Sequence, residues 1–193
     1  MTRIAITGNI ASGKSTVQKL LENKGYKVLD TDEVSHELLT VKNSELFEAF
    51  RDYDVFENGD FSRFKVGQLI FSDETARKKI ASIMHPQVAQ EIEKFFAANS
   101  NEEFLFVGIP LLFESNMQNL FDKIIFVYTD DDIRLERLLR RNNYTVEHAK
   151  ARIASQMPQE EKLKKSDFVI NNNGSIDNLN NNISSILEQI RLM

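Results

Sequence analysis

Two hydrophobic rhythms alternate along the chain. Short, nearly continuous apolar runs, rich in β-branched and aromatic residues, occupy positions 3–7 (RIAIT), 26–29, 104–107, 124–128 and 168–170. Longer stretches between them repeat their apolar residues every three to four positions. The first rhythm predicts strands buried on both faces and the second amphipathic helices. Strands alternating with helices imply an α/β fold, a parallel sheet of five strands with helices on both faces, whose ligands gather beyond the carboxyl ends of the strands. Residues 31–101 interrupt the alternation. They hold amphipathic stretches at 44–51, 63–71 and 86–98 and no convincing strand, which predicts a helical insertion. Inside it, His85-Pro86 reads as the end of one helix and the first turn of another, where proline is at home. After the last apolar run, Asn171 to Asn173 read as a loop, Gly174 as a turn, and the run 178–182 as the polar face of a final helix.

Composition narrows the class. The 193 residues include 41% hydrophobic and 27% charged positions, with only 7 Gly and 3 Pro, as in a globular domain with a real core and unlike a disordered or collagenous chain. With no Cys, disulfides, thiol nucleophiles and thiolate metal sites drop out, and His36, His85 and His148 have no metal-ligand spacing. No apolar run approaches the roughly 20 residues that span a bilayer, and the start lacks the basic and long apolar parts of a signal peptide. A cytoplasmic protein without membrane contact is expected. The formal net charge of −5 argues against broad nucleic-acid binding, while local basic clusters can still hold a small anion.

One segment carries specific chemistry. Gly8-Asn9-Ile10-Ala11-Ser12-Gly13-Lys14-Ser15 fits G-x-x-x-x-G-K-[ST], lies between a predicted strand and a predicted helix, and continues into Thr16. In such a loop backbone N–H groups and the helix N-terminus face the phosphates of a nucleotide. Lys14 would add positive charge at the β and γ groups, and the Ser15 hydroxyl would ligate Mg²⁺. A regulatory GTPase would also carry D-x-x-G and N-K-x-D. None of the 7 Gly follows an Asp by three positions, and Asn23-Lys24-Gly25-Tyr26 lacks the Asp. A small-molecule kinase fits better than an NTP-binding switch.

Two further groups suit a kinase. The second apolar run ends in Asp30-Thr31-Asp32, two carboxylates at the carboxyl end of a strand. One could orient an acceptor hydroxyl and take its proton while the other holds Mg²⁺ through water; equally, Thr31 or Asp32 could cap the helix predicted at 33–39. Arg134, Arg137 and Arg141 fall at i, i+3 and i+7 of a predicted helix, with Arg140 beside them. Guanidinium forks on that face could close over a triphosphate, Arg137 and Arg141 being the favoured pair, or could pair with Asp130, Asp131, Asp132 and Glu136 on a solvated surface.

The ordered set of the phosphate loop through Thr16, Val28 to Asp32, Gly59 to Arg63 with Phe71, His85-Pro86, Pro110 to Glu114, Arg137 and Arg141, Gln156, Lys162, and D-x-V-I-x-N-x-G from Asp167 to Gly174 resembles the dephospho-CoA kinases from end to end. The resemblance implies a single P-loop kinase domain. Its core is expected at about 1–30, 101–130 and 165–193, its helical acceptor-binding insertion at about 31–100 and its lid at about 131–164. It implies ATP-dependent phosphorylation of the ribose 3′-hydroxyl of 3′-dephospho-CoA, the last step of coenzyme A biosynthesis, with ATP and Mg²⁺ and no obligatory protein partner. Asp32 then matches the catalytic base, with Lys14, Arg137 and Arg141 as catalytic cations. ATP is held by Gly8, Ala11, Ser12, Gly13, Lys14, Ser15, Thr16, Asn173 and Gly174. The acceptor is met by Asp30, Arg63, His85, Leu111 and Glu114, and Mg²⁺ by Ser15 with Asp30 or Asp32 through water. Chemically, His85 could equally be a packing residue, Arg63 a surface charge after the Asn58-Gly59 turn, and the 171–174 segment only a turn. The chain departs from the family pattern at Asn9 and Ala11, where glycines are usual, and at Gly108, Arg134 and Asn142. Ala11 would need negative φ or bear strain. The alternative is another P-loop kinase, acting on a nucleoside monophosphate or a small metabolite.

Overall fold

A computed structural model describes residues 1–142 and 144–192. In chain order the elements are β1 (Thr2–Thr7), α1 (Lys14–Asn23), β2 (Lys27–Asp30), α2 (Thr31–Leu38), α3 (Ser44–Phe50), β3 (Phe56–Glu57), β4 (Asp60–Phe61), α4 (Arg63–Ser72) and α5 (Glu74–Ala98). There follow β5 (Phe104–Gly108), β6 (Lys123–Tyr128), α6 (Asp131–Asn142), α7 (Val146–Ala154), α8 (Gln159–Lys164), β7 (Phe168–Asn171) and α9 (Ile176–Arg191). The chain divides into two compact units, residues 1–30 with 96–193, and residues 31–95.

The first unit is built on the five apolar runs. They form one sheet in the order β2-β5-β1-β6-β7, parallel at every pairing. Alternate residues serve opposite faces. Ile4, Ile6, Phe104, Phe106, Ile125 and Val127 share a core with Val17 and Leu21 of α1 and with Leu179, Ile183, Ile186, Leu187 and Ile190 of α9. The residues between them, Ala5, Leu105, Val107 and Phe126, are equally buried on the other side. The α9 positions fall at helical spacing, and the helix starts where the Ser175 hydroxyl accepts a hydrogen bond from the Asn178 N–H. Because β5 and β6 lie on opposite sides of β1, the loop after β1 opens at the point where strand order reverses, where parallel sheets bind ligands.

The second unit packs Leu46, Phe50, Val55, Phe61, Val66, Ala76, Ile83 and Met84 into its own core. Two expectations are corrected here. The segment is not wholly helical: β3 and β4 form an antiparallel hairpin through Asn58-Gly59, whose φ angles of 51° and 86° suit a two-residue turn of type I′. Two-residue strands are too short to show an alternating pattern. Their pairing is set by the turn and by Phe56 against Phe61, with ring centroids 4.6 Å apart. Nor does His85-Pro86 divide two helices, since α5 runs unbroken for 25 residues with Pro86 inside. An interior proline costs about 3 kcal/mol. On either side of it, however, Ala76, Ile83, Met84, Val88 and Ile92 are all buried. At about 1.5–3 kcal/mol for each large side chain, that burial outweighs one lost hydrogen bond.

Candidate active site

The loop between β1 and α1 is held by its carbonyls. Arg134 Nε donates to the Ile10 carbonyl at 3.0 Å, and Arg137 Nη1 to that of Ala11 at 3.3 Å. The Ser12 carbonyl accepts from Asn172 Nδ2 at 2.7 Å and from the Thr129 hydroxyl at 2.9 Å. In a planar trans peptide the next residue's N–H points away from the carbonyl. Tying down the Ile10 and Ser12 carbonyls therefore turns the N–H groups of Ala11 and Gly13 the other way, as an anion cradle requires. Gly13 caps α1 with φ 91°, and a Cβ there would lie 2.1 Å from Asn172 Nδ2, so only glycine fits. Ala11 adopts φ 63°, the strained alternative for a non-glycine residue, at a cost of about 1 kcal/mol. Gly8 is buried at the end of β1, while Ser15 and Thr16 are exposed on the first turn of α1.

Beyond the loop lie the charged groups. Lys14 Nζ donates to Gln18 Oε1 at 2.9 Å and stands 3.5 Å from Asp30 Oδ1. Asp30 ends β2 directly beside Gly108, the last residue of β5. The helix that follows starts at Thr31, which places Asp32, exposed, in its first turn.

The four arginines of α6 separate. Arg134, 1% exposed, pairs with Asp131 Oδ1 at 2.7 Å, and its burial lowers the guanidinium pKa against the pull of Asp131. It is a fixture of the loop. Arg137 spends its fork on backbone, adding the Asn172 carbonyl at 2.9 Å. Arg140 pairs with Glu136 on the surface, and Arg141 is exposed. The shared face expected of Arg134, Arg137 and Arg141 is thus divided between buttressing and solvent.

A polar strap that the sequence reading left without a role crosses the loop from the α7–α8 connection. Gln156 Oε1 accepts the Ile10 N–H at 2.6 Å, and Asn9 Nδ2 donates to the Met157 carbonyl at 2.9 Å. The Met157 N–H donates to Glu114 Oε1 at 3.1 Å. That same oxygen pairs at 2.8 Å with Lys162, whose side chain is fully buried. Glu114 is therefore committed first to this pair, although its Oε2 is buried with no partner. Leu111 beside it is 45% exposed, whereas Leu112 is buried. Of the 171–174 segment, Asn172 makes the loop contact, and the spacing D-x-V-I-x-N-x-G already falls on it. Asn173 Oδ1 accepts the Asp130 N–H at 2.9 Å, and Gly174 is exposed. In the second unit, Arg63 opens α4, exposed, after Ser62, whose hydroxyl donates to Glu57 Oε2 at 3.0 Å. His85 is half-buried on α5, and burial pulls its imidazole below its ordinary pKa.

Mg²⁺ needs few protein ligands when phosphates supply the others, and the hydroxyl of Ser15 and the carboxylate of Asp30 are hard oxygen donors of the fitting kind. Among the described residues no cluster of three or more His, Cys, Asp or Glu could hold a metal alone, and no helix is long and apolar enough to cross a membrane.

Comparison with known proteins adds a family. The dephospho-CoA kinase family model matches residues 2–178. A dephospho-CoA kinase of Geobacillus kaustophilus is 40% identical over 191 residues, 96% of this chain and 95% of the relative. Among solved structures, a Thermus thermophilus protein superposes with a TM-score of 0.85 at 32% identity, covering 97% of both chains. A dephospho-CoA kinase from Campylobacter jejuni gives 0.71 at 30% identity over 97% of this chain and 96% of its own.

Proposed function

The chain belongs to the dephospho-CoA kinase family, and from that premise we propose how its residues share the reaction. It is a P-loop phosphotransferase that uses ATP, with an alcohol as acceptor and a place in coenzyme A biosynthesis. The 3′-hydroxyl oxygen of 3′-dephospho-CoA attacks the γ-phosphorus of ATP. The bond to the β–γ bridging oxygen breaks, and CoA and ADP leave. Asp32 accepts the hydroxyl proton.

The observation that carries this reading is the loop itself: carbonyls bound outward by Arg134, Arg137, Asn172 and Thr129, with the Lys14 ammonium beside Asp30. Gly8, Ala11, Ser12, Gly13, Lys14, Ser15 and Thr16 receive the phosphates, Lys14 at the β and γ groups, while Asn173 and Gly174 lie beside the adenine. Arg137 holds the loop in shape, and Arg141, exposed on the same helix, meets the transferring phosphoryl group. Mg²⁺ on Ser15, with Asp30 or Asp32 through water, would neutralise charge on the β and γ oxygens. Asp30, Arg63, His85, Leu111 and Glu114 contact the acceptor, and the protein works in the cytoplasm.

The test is ADP release from ATP and Mg²⁺ with dephospho-CoA, shikimate or gluconate offered separately. Dephospho-CoA alone should support rapid turnover; equal turnover with either of the others would overturn the assignment.

A further inference from the structure

We infer that Gln18 is a positioning residue for the phosphate-loop lysine and that glycine at 108 exists to seat it. Gln18 stands one helical turn beyond Lys14 on α1 and is only 4% exposed. Its Oε1 accepts from Lys14 Nζ at 2.9 Å. A Cβ on Gly108 would come within 2.4 Å of Gln18 Nε2 and 2.6 Å of Cδ, closer than side chains tolerate. The amide thus lies flat against the bare backbone where β5 ends, in register with Asp30 at the end of β2. Any other residue at 108 would push it away.

Burying an amide is costly unless its hydrogen bonds matter, and a methionine would fill this space without that cost. What the amide oxygen adds is direction. Lysine carries a compact ammonium on a flexible four-carbon stem, and the ammonium has three donors to aim. An acceptor at Gln18 and the carboxylate of Asp30 anchor Nζ at the strand ends before a nucleotide arrives, so less ordering remains to be done in the transition state. The choice of acceptor matters too. A carboxylate at the same point would hold the lysine by charge but repel the polyphosphate; a neutral amide orients without adding negative charge.

This inference rests on the phosphate role proposed for Lys14, so Lys14→Ala is measured alongside. Steady-state kinetics against ATP at saturating dephospho-CoA, with thermal unfolding of each protein, would compare Gln18→Met, Gln18→Glu, Gly108→Ala, Gln18→Ala and the Gln18→Ala/Gly108→Ala double variant. Gln18→Met should unfold like the wild type yet lose about tenfold in kcat/KM for ATP, as expected for a lost hydrogen bond to a charged group. Gln18→Glu should raise the KM for ATP by a larger factor than it lowers kcat. Gly108→Ala should reproduce the methionine defect in the wild type but add nothing once Gln18 is alanine, because its methyl then meets no amide. Wild-type kinetics in Gln18→Met, or an undiminished Gly108→Ala effect in the Gln18→Ala background, would overturn the inference. Normal turnover by Lys14→Ala would instead overturn the phosphate-loop role on which it stands.

Discussion

Asp30 and Asp32 are separated by one residue and differ in what surrounds them. Asp30 ends a strand with its carboxylate 3.5 Å from the Lys14 ammonium, while Asp32 sits exposed on the first turn of α2. In the proposed division of roles Asp30, beside the ammonium, holds charge, and Asp32 takes the proton. Asp32→Asn should therefore lower kcat by roughly 10² or more, the range of general-base contributions, with little change in the KM for ATP. Steady-state kinetics of both asparagine variants decide the matter; if Asp30→Asn were crippled and Asp32→Asn nearly normal, the two roles would be exchanged. The sequence displays this pair, and the glycines and lysine of the loop, because backbone geometry confines them to a few consecutive positions. Of their supports, Gln156 and Asn172 stand in the family motifs, but the sequence does not show what they touch. Asn172 reaches Ser12 across 160 residues and Gln156 reaches Ile10 across 146, so only the folded sheet brings them together. Gln18 likewise reads as one more polar position on a helix until the absence of a side chain at 108 is seen beside it.

The strap from the α7–α8 connection converts a loop into a rigid part. Asn9 and Gln156 fasten it to the phosphate loop, and its far end depends on Lys162 and Glu114. Removing one partner of such a pair leaves a charge without its counter-ion, which costs about 3 kcal/mol at the lower end for buried pairs, appropriate here because Glu114 is partly exposed. Lys162→Met should lose about that much in denaturant unfolding, and adding Glu114→Gln should recover at least half of it, since the glutamine oxygen can still accept the Met157 N–H. A loss below about 1 kcal/mol in Lys162→Met would show that the pair does not carry the strap. Much of the framework around this strap is legible in the sequence. Long apolar strands and α9 announce themselves by period, because burial on one or both faces dictates every position. The β3–β4 hairpin and the unbroken α5 were not readable, because two residues carry no period and because a proline's local preference yields to the packing of Ile83, Met84, Val88 and Ile92.

For the molecule as a whole, the question is why 65 residues, 31–95, form a compact unit with its own core while the phosphate loop and the sheet belong to the other unit. Dephospho-CoA is long, carrying a pyrophosphate and a pantetheine arm beyond the reacting ribose. An enzyme built for it gains by gripping those remote parts, because binding energy spent there fixes the 3′-hydroxyl in place and appears in kcat/KM. In a chain of net charge −5 the grip on a pyrophosphate must come from local cations, and Arg63 opens α4 with no acidic residue in the first turn of that helix. Truncating the acceptor to AMP or adenosine should then cost several orders of magnitude in kcat/KM although the ribose is unchanged. Arg63→Ala should weaken dephospho-CoA selectively and leave adenosine, which lacks phosphate, almost untouched. Comparing kcat/KM for the three acceptors in the wild type and in Arg63→Ala separates the outcomes. If AMP served as well as dephospho-CoA, the 31–95 unit would not be reading the long acceptor, and a nucleoside monophosphate kinase would describe the protein better. If only the Arg63→Ala effect were missing, the substrate would stand and the pyrophosphate would have to be held by other residues.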